Sequence, residues 1–148
     1  MNHIQPDQAS LSEDKPLQQA RLSGDPNILD QLLAPPEATS FGIAARVIDV
    51  LEQRIGKASL AIRPVASDLS MSTRTLQRRL QEHNLSFASL RDHVRFRHAV
   101  HFLKDTALSV DGISRILDFS DRTSFTSAFK RWTGMSPTGY RRQVRQRF

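Results

Sequence analysis

Val65-Ala66-Ser67-Asp68-Leu69-Ser70-Met71-Ser72, followed by Thr73-Arg74-Thr75-Leu76-Gln77-Arg78-Arg79-Leu80, is a pattern the chain writes a second time. The second copy is Ile113-Ser114-Arg115-Ile116-Leu117-Asp118-Phe119-Ser120, followed by Arg122-Thr123, Phe125 and Phe129-Lys130-Arg131-Trp132. Each copy reads as a short helix, a tight turn at Ser70 or Asp118, and a second helix with Ser72 or Ser120 as its N-cap, because a hydroxyl there can accept from an unpaired first-turn N–H. That is a helix-turn-helix, twice. In each second helix the apolar residues stand four apart, Leu76 with Leu80 and Phe125 with Phe129, so they share one face and belong to a core. The other face of the first copy carries Arg74, Gln77, Arg78 and Gln81, whose side chains are long enough to reach base edges and phosphates in a major groove.

Composition narrows the classes. The 148 residues contain no cysteine, which removes disulfides, cysteine-based zinc fingers and thiol nucleophiles. No apolar run approaches the length of a membrane span and no charged-then-apolar leader opens the sequence, so the expectation is a cytoplasmic protein. His98 and His101, three apart, are the best-spaced metal candidates, but no carboxylate cluster accompanies them and they read as structural histidines. No cofactor and no metal are expected. Charge is unevenly spread: Lys15 and Arg21 stand against six carboxylates in residues 1–40, a balance of −4, which leaves +10 on the rest of a chain of net charge +6. A basic body behind an acidic arm points to a polyanion partner, with counterion release supplying affinity.

Five of the seven prolines precede residue 40, so residues 1–38 are expected to be a loose arm. One short helix is legible in it, with Asp25 as N-cap, Pro26 in the first turn and an apolar face of Ile28, Leu29, Leu32 and Leu33; Ala34-Pro35-Pro36 ends it. From Phe41 the spacing is helical through Ile43, Val47, Val50 or Leu51, and Ile55, with Gly56 as the stop. Pro64 should trim the N-terminal end of the next helix. Between the two copies Ser86 caps a long helix to about Lys104, with Phe87, Leu90, Val94, Ala99 and Leu103 as core positions. Gly134 ends a helix, and Ser136-Pro137 starts a last short one. The fold class is all-α, two helix-turn-helix units joined by a long helix, with no convincing strand.

These residues resemble the DNA-binding domain of the AraC/XylS family of bacterial transcription regulators. Arg74-Thr75-Leu76-Gln77-Arg78-Arg79-Leu80 matches the family's first recognition helix. Phe119-Ser120-Asp121, with Phe129-Lys130-Arg131-Trp132-Thr133-Gly134-x-Ser136-Pro137-x-x-Tyr140-Arg141, matches its C-terminal signature. The similarity spans roughly Phe41 to Arg142, and residues 39–148 are assigned to the domain. The resemblance implies a seven-helix module that inserts both recognition helices into successive major grooves of double-stranded DNA, in proteins that regulate promoters and often contact RNA polymerase. It also implies a separate effector or dimerisation domain, of which residues 28–41 look like the last helix and linker.

By position, Arg74, Gln77 and Arg78 of the first recognition helix, and Arg122, Thr123 and Thr126 of the second, are the expected DNA contacts. Departures cluster in the second copy. Asp118 stands where glycine is common, as Ser70 does in the first turn; Ser114 stands where alanine is common and its hydroxyl needs a partner; Ser127 replaces a frequent arginine, opposite Arg78 in the repeat. The second reader is therefore expected to contribute less base-specific contact. Arg79 is placed nearer the core side, and Arg141, Arg142, Arg145 and Arg147 read as a solvated tail attracting DNA non-specifically. An enzyme is not expected: DNA-repair methyl acceptors that carry this module use cysteine, and neither a nucleophile motif nor a glycine-rich phosphate loop is legible. The competing reading is a truncated regulator remnant, or an interaction protein, that binds DNA weakly and acts by competition.

Overall fold

The computed structural model describes residues 42–147. The expected short helix at Asp25 to Leu33 and the rest of the arm lie outside them. Seven helices form, and no strand occurs among the described residues: α1 (Gly42–Arg54), α2 (Ile62–Asp68), α3 (Thr73–Glu82), α4 (Phe87–Asp105), α5 (Val110–Ile116), α6 (Arg122–Thr133) and α7 (Pro137–Gln146). Among the described residues no helix is long and apolar enough to cross a membrane.

Two apolar cores organise these helices. The first gathers Ile43, Ala44, Val47 and Leu51 of α1 with Val65, Ala66, Leu76 and Leu80 of the first helix-turn-helix. The second gathers Val110, Ile113 and Leu117 with Phe125, Ala128, Phe129 and Trp132. The long helix α4, about 28 Å at 1.5 Å per residue, serves both. Phe87, Leu90 and Val94 enter the first core, while Phe96, Ala99, Val100 and Leu103 enter the second. Phe96 and Val100 join the five core positions that the sequence spacing predicts, because a helix that changes partners halfway along must turn more than one face inward. Ile55, at the end of α1, packs against both cores.

The helix ends follow capping chemistry. Ser72, Ser86, Ser109 and Ser136 each accept a first-turn N–H, at 3.1, 3.1, 3.0 and 3.0 Å. One assignment changes: the N-cap of α6 is Asp121, whose carboxylate accepts from Ser124 N at 2.7 Å. Ser120 lies one residue earlier, its hydroxyl against that of Ser124. Pro64 does not shorten α2. The helix begins two residues before it, so the missing N–H falls among the first-turn donors that lack an intrahelical partner in any case.

The basic C-terminal run is only partly a solvated tail. Arg141 donates from Nε to Leu103 O (3.0 Å) and from Nη2 to Phe102 O (3.2 Å), and Arg145 donates to Thr106 O (2.6 Å). Two guanidinium groups on α7 thus cap carbonyls at the C-terminal end of α4, where positive charge also suits the helix dipole. Tyr140 on the same helix meets the Phe129 ring at 5.3 Å. Arg142 and Arg147 stay exposed.

Candidate nucleic-acid interface

Burial sorts α3 into two faces. Leu76 and Leu80 are fully buried, while Arg74, Gln77, Arg78 and Gln81 are all exposed. Arg78 has 68% of its side chain exposed and stands 4.0 Å from Glu82 one turn on, a surface pair too weak to withhold it from another partner. Arg79, expected toward the core, is exposed as well. Its neighbour Leu80 fills the only inward position of that turn, and a helix step of 100° carries residue 79 away from it. Beside this face, an open cleft of about 650 Å³ is lined by Gln77, Gln81, Ile62, Ser86, Phe87 and Arg91 among others.

The second helix of the second copy, α6, is offset by one residue. Asp118 follows Ser70 by 48 positions, and both adopt left-handed backbone, at φ 61° and 56°. The caps Asp121 and Ser72 are 49 apart. One extra residue between turn and cap therefore puts Thr123, Thr126, Ser127 and Lys130 opposite Arg74, Gln77, Arg78 and Gln81. Thr123, Ser127 and Lys130 are exposed, Thr126 is half-buried, and Arg122 is an exposed residue at the first helical position, the place of Thr73. The face that in α3 carries two arginines and two glutamines thus carries in α6 three short hydroxyls and one lysine. Lys130 was not among the expected contacts; matching the buried pair Phe125 and Phe129 to Leu76 and Leu80 places it opposite Gln81.

The departures expected to weaken the second copy have partners. Ser114 is 2% exposed, and its hydroxyl donates to Asp111 O at 2.7 Å. The turn is held from three sides. Arg95 of α4 donates from Nε to Leu117 O (2.8 Å) and from Nη2 to Asp118 O (2.7 Å), with its guanidinium 4.1 Å from the centre of the Phe119 ring. Leu60 N donates to Asp118 Oδ2 at 2.8 Å, and Gly56 N donates to Ile116 O at 3.1 Å. Burial, with Arg91 adding in the same direction, pulls the pKa of Arg95 down to about 10, which leaves it charged at neutral pH. Arg95 escaped sequence reading because a cation between Val94 and Phe96 carries no sign that its partners are carbonyls more than twenty residues away.

His98 and His101 do not converge on a common point. His98 meets Glu52 of α1, which also pairs with Arg97 at 3.1 Å, and His101 pairs with Asp105 one turn on, at 3.1 Å. Among the described residues no group of three or more His, Asp or Glu side chains is placed to hold a metal ion. The Asp121 cap makes a pH prediction. The Ser124 N–H, and then its hydroxyl, hold the Asp121 carboxyl below the ordinary value. A depressed carboxyl stabilises the fold above its unfolded value, about 3.9, and that contribution disappears as pH falls through the lower folded value. The side-chain carbonyl resonance of Asp121 should titrate with a midpoint below that of an unfolded peptide; a midpoint at or above it would remove the cap from the account.

A family described as a helix-turn-helix domain matches residues 65–143, more than half of the chain. The chain belongs to the AraC/XylS family. Among curated relatives it is 40% identical over 76 residues to the HTH-type transcriptional regulator VqsM of Pseudomonas aeruginosa, covering 51% of this chain and 23% of that protein. It is 32% identical over 103 residues to the transcriptional activator PerA of Escherichia coli O127:H6, covering 70% and 37%. The chain thus spans well under half the length of these relatives. A DNA-binding transcriptional dual regulator of E. coli K-12 superposes with a TM-score of 0.63 at 26% identity, over 70% of this chain and 93% of that one. Helix-turn-helix DNA-binding regulators are therefore what the AraC/XylS module of this chain is built like, in sequence and in fold.

Proposed function

We propose that residues 39–148 read double-stranded DNA with two heads, α3 and α6, which enter successive major grooves, and that the output is regulation of transcription. The observation that carries this is the pairing of two exposed polar faces, on α3 and α6, on one basic body joined through α4. Arg74, Gln77 and Arg78 read bases on one side, with Thr123 and Thr126 opposite them and Arg122 beside these. Bidentate contacts from Arg to guanine and from Gln to adenine are open to the first head. The short hydroxyls of the second suit phosphate and single base contacts. A contact with RNA polymerase belongs to this reading, as does occupation of an asymmetric site by a monomer.

Selection of bound sequences from a random pool, followed by footprinting with scanned base substitutions, tests it. Protection is expected over two major grooves about 34 Å apart on one face of the duplex. The half read by Arg74, Gln77 and Arg78 should be the stricter. Protection confined to one groove, or a stricter half under Thr123 and Thr126, overturns this assignment.

Residues 1–38 we assign to an arm that DNA binding does not need. Their net charge is negative against a body of +10, so deleting them should preserve or strengthen affinity, and most at low salt, where charge repulsion acts furthest. A deleted chain that no longer folds would show instead that the arm completes a core.

A further inference from the structure

The two turns of the repeat share a backbone conformation but not a role. Ser70 is exposed and makes no bond to another element among the described residues, whereas the turn at Asp118 is gripped by α4 and by the loop that leads into α2. We propose that Arg95 and Asp118 are positioning residues for DNA reading, a latch that fixes the separation and phase at which α3 and α6 meet the duplex. The inference rests on the two-headed reading and adds the residues that set its spacing.

The latch works through backbone groups that α4 reaches at this turn. A left-handed residue at position 118 turns two successive carbonyls, of Leu117 and Asp118, toward α4, where the two guanidinium donors of Arg95 take one each. Stacking on Phe119 holds the guanidinium plane between them. The Asp118 carboxylate reaches the opposite way and accepts the Leu60 N–H, one residue before the N-cap of α2. The second head is thereby tied to the entrance of the first, and Gly56 N on Ile116 O adds a further tie between the same two segments. A glycine at 118 would relax the backbone but could not make the Leu60 bond. Retaining a carboxylate in a conformation that disfavours it is what a positioning role requires.

The test compares Asp118→Gly with Asp118→Asn. Asparagine tolerates left-handed backbone and keeps an oxygen that can accept from Leu60 N. Affinity is measured on the selected site, on the same site with one or two base pairs inserted between its halves, and on the first half-site alone. The wild type should lose roughly tenfold or more on a one-pair insertion, as rigidly joined modules do when their span no longer matches the target. Asp118→Gly should bind the selected site roughly tenfold more weakly, lose most of its discrimination between spacings, and match the wild type on the half-site. Asp118→Asn should follow the wild type throughout. Arg95→Met, which keeps an apolar stem but no donors, should resemble Asp118→Gly. If it fails to fold, the Asp118 pair still decides.

An Asp118→Gly protein that keeps the wild-type spacing profile overturns the latch while leaving two-headed reading intact. So does one that loses equally on half-site and full site. A wild type indifferent to spacing overturns the two-headed reading and the latch with it.

Discussion

Phe129→Ala should destabilise the protein by about 3–5 kcal/mol, the range for removing a fully buried aromatic ring. Phe129 is completely buried and meets more rings than any other residue of its core, with centroids of Phe96, Phe125, Trp132 and Tyr140 at 6.5, 5.9, 6.4 and 5.3 Å. Its removal deprives three helices of a common contact: α4 through Phe96, α6 itself, and α7 through Tyr140. Single domains have only about 5–15 kcal/mol of net stability, so the urea midpoint should fall steeply and the variant should approach unfolding at growth temperature. A loss below about 1 kcal/mol would mean that the neighbouring rings close over the space, and would refute the central place given to Phe129.

Arg78→Ala should cost about 1–3 kcal/mol on the selected DNA site and much less on random DNA. The side chain is two-thirds exposed, its one ion pair among the described residues is the loose contact with Glu82, and Leu76 and Leu80 hold the backbone beneath it. Truncation should therefore leave the fold intact, so a change in binding reports on recognition. A bidentate arginine lost from guanine relaxes preference at one base pair, whereas an arginine lost from phosphate weakens every sequence alike and lowers the salt dependence. Equal loss on both DNAs would make Arg78 a phosphate contact. Replacing Glu82 by Gln should have little effect on either, since an exposed pair at 4.0 Å is worth little.

Much of the architecture can be read from residue spacing. The repeat, the long helix from Ser86, the stops at Gly56 and Gly134, and the buried fate of Leu76, Leu80, Phe125, Phe129 and Trp132 follow from helical periodicity and end chemistry, which are local. What escaped is what depends on distant partners. Arg95, Arg141 and Arg145 look in sequence like three more cations on a basic protein, yet each donates to carbonyls at least 22 residues away. Asp118 looks like a costly substitute for glycine, and its compensation lies at Leu60. The cap of α6 fell one residue late because Ser120 and Asp121 are both good caps, and only the length of the turn decides between them. The exposed polar face of the first copy was legible because its long polar side chains alternate with the buried Leu76 and Leu80. That of the second was less so, since threonine and serine serve helix surfaces and DNA equally well.

The change of partner along α4 bears on how this protein could be retargeted. Val94 belongs to one core and Phe96 to the other, with Arg95 at the seam. No cut on either side of that seam yields a self-contained head: each fragment would carry away half a helix with a raw apolar stripe, and leave its counterpart short of a wall. Whole-head grafting from a relative is therefore a poor route to new operator preference. If the two-headed reading holds, redesign belongs to the four matched positions on each of α3 and α6, Arg74, Gln77, Arg78 and Gln81 with Thr123, Thr126, Ser127 and Lys130, none of which forms part of the two cores.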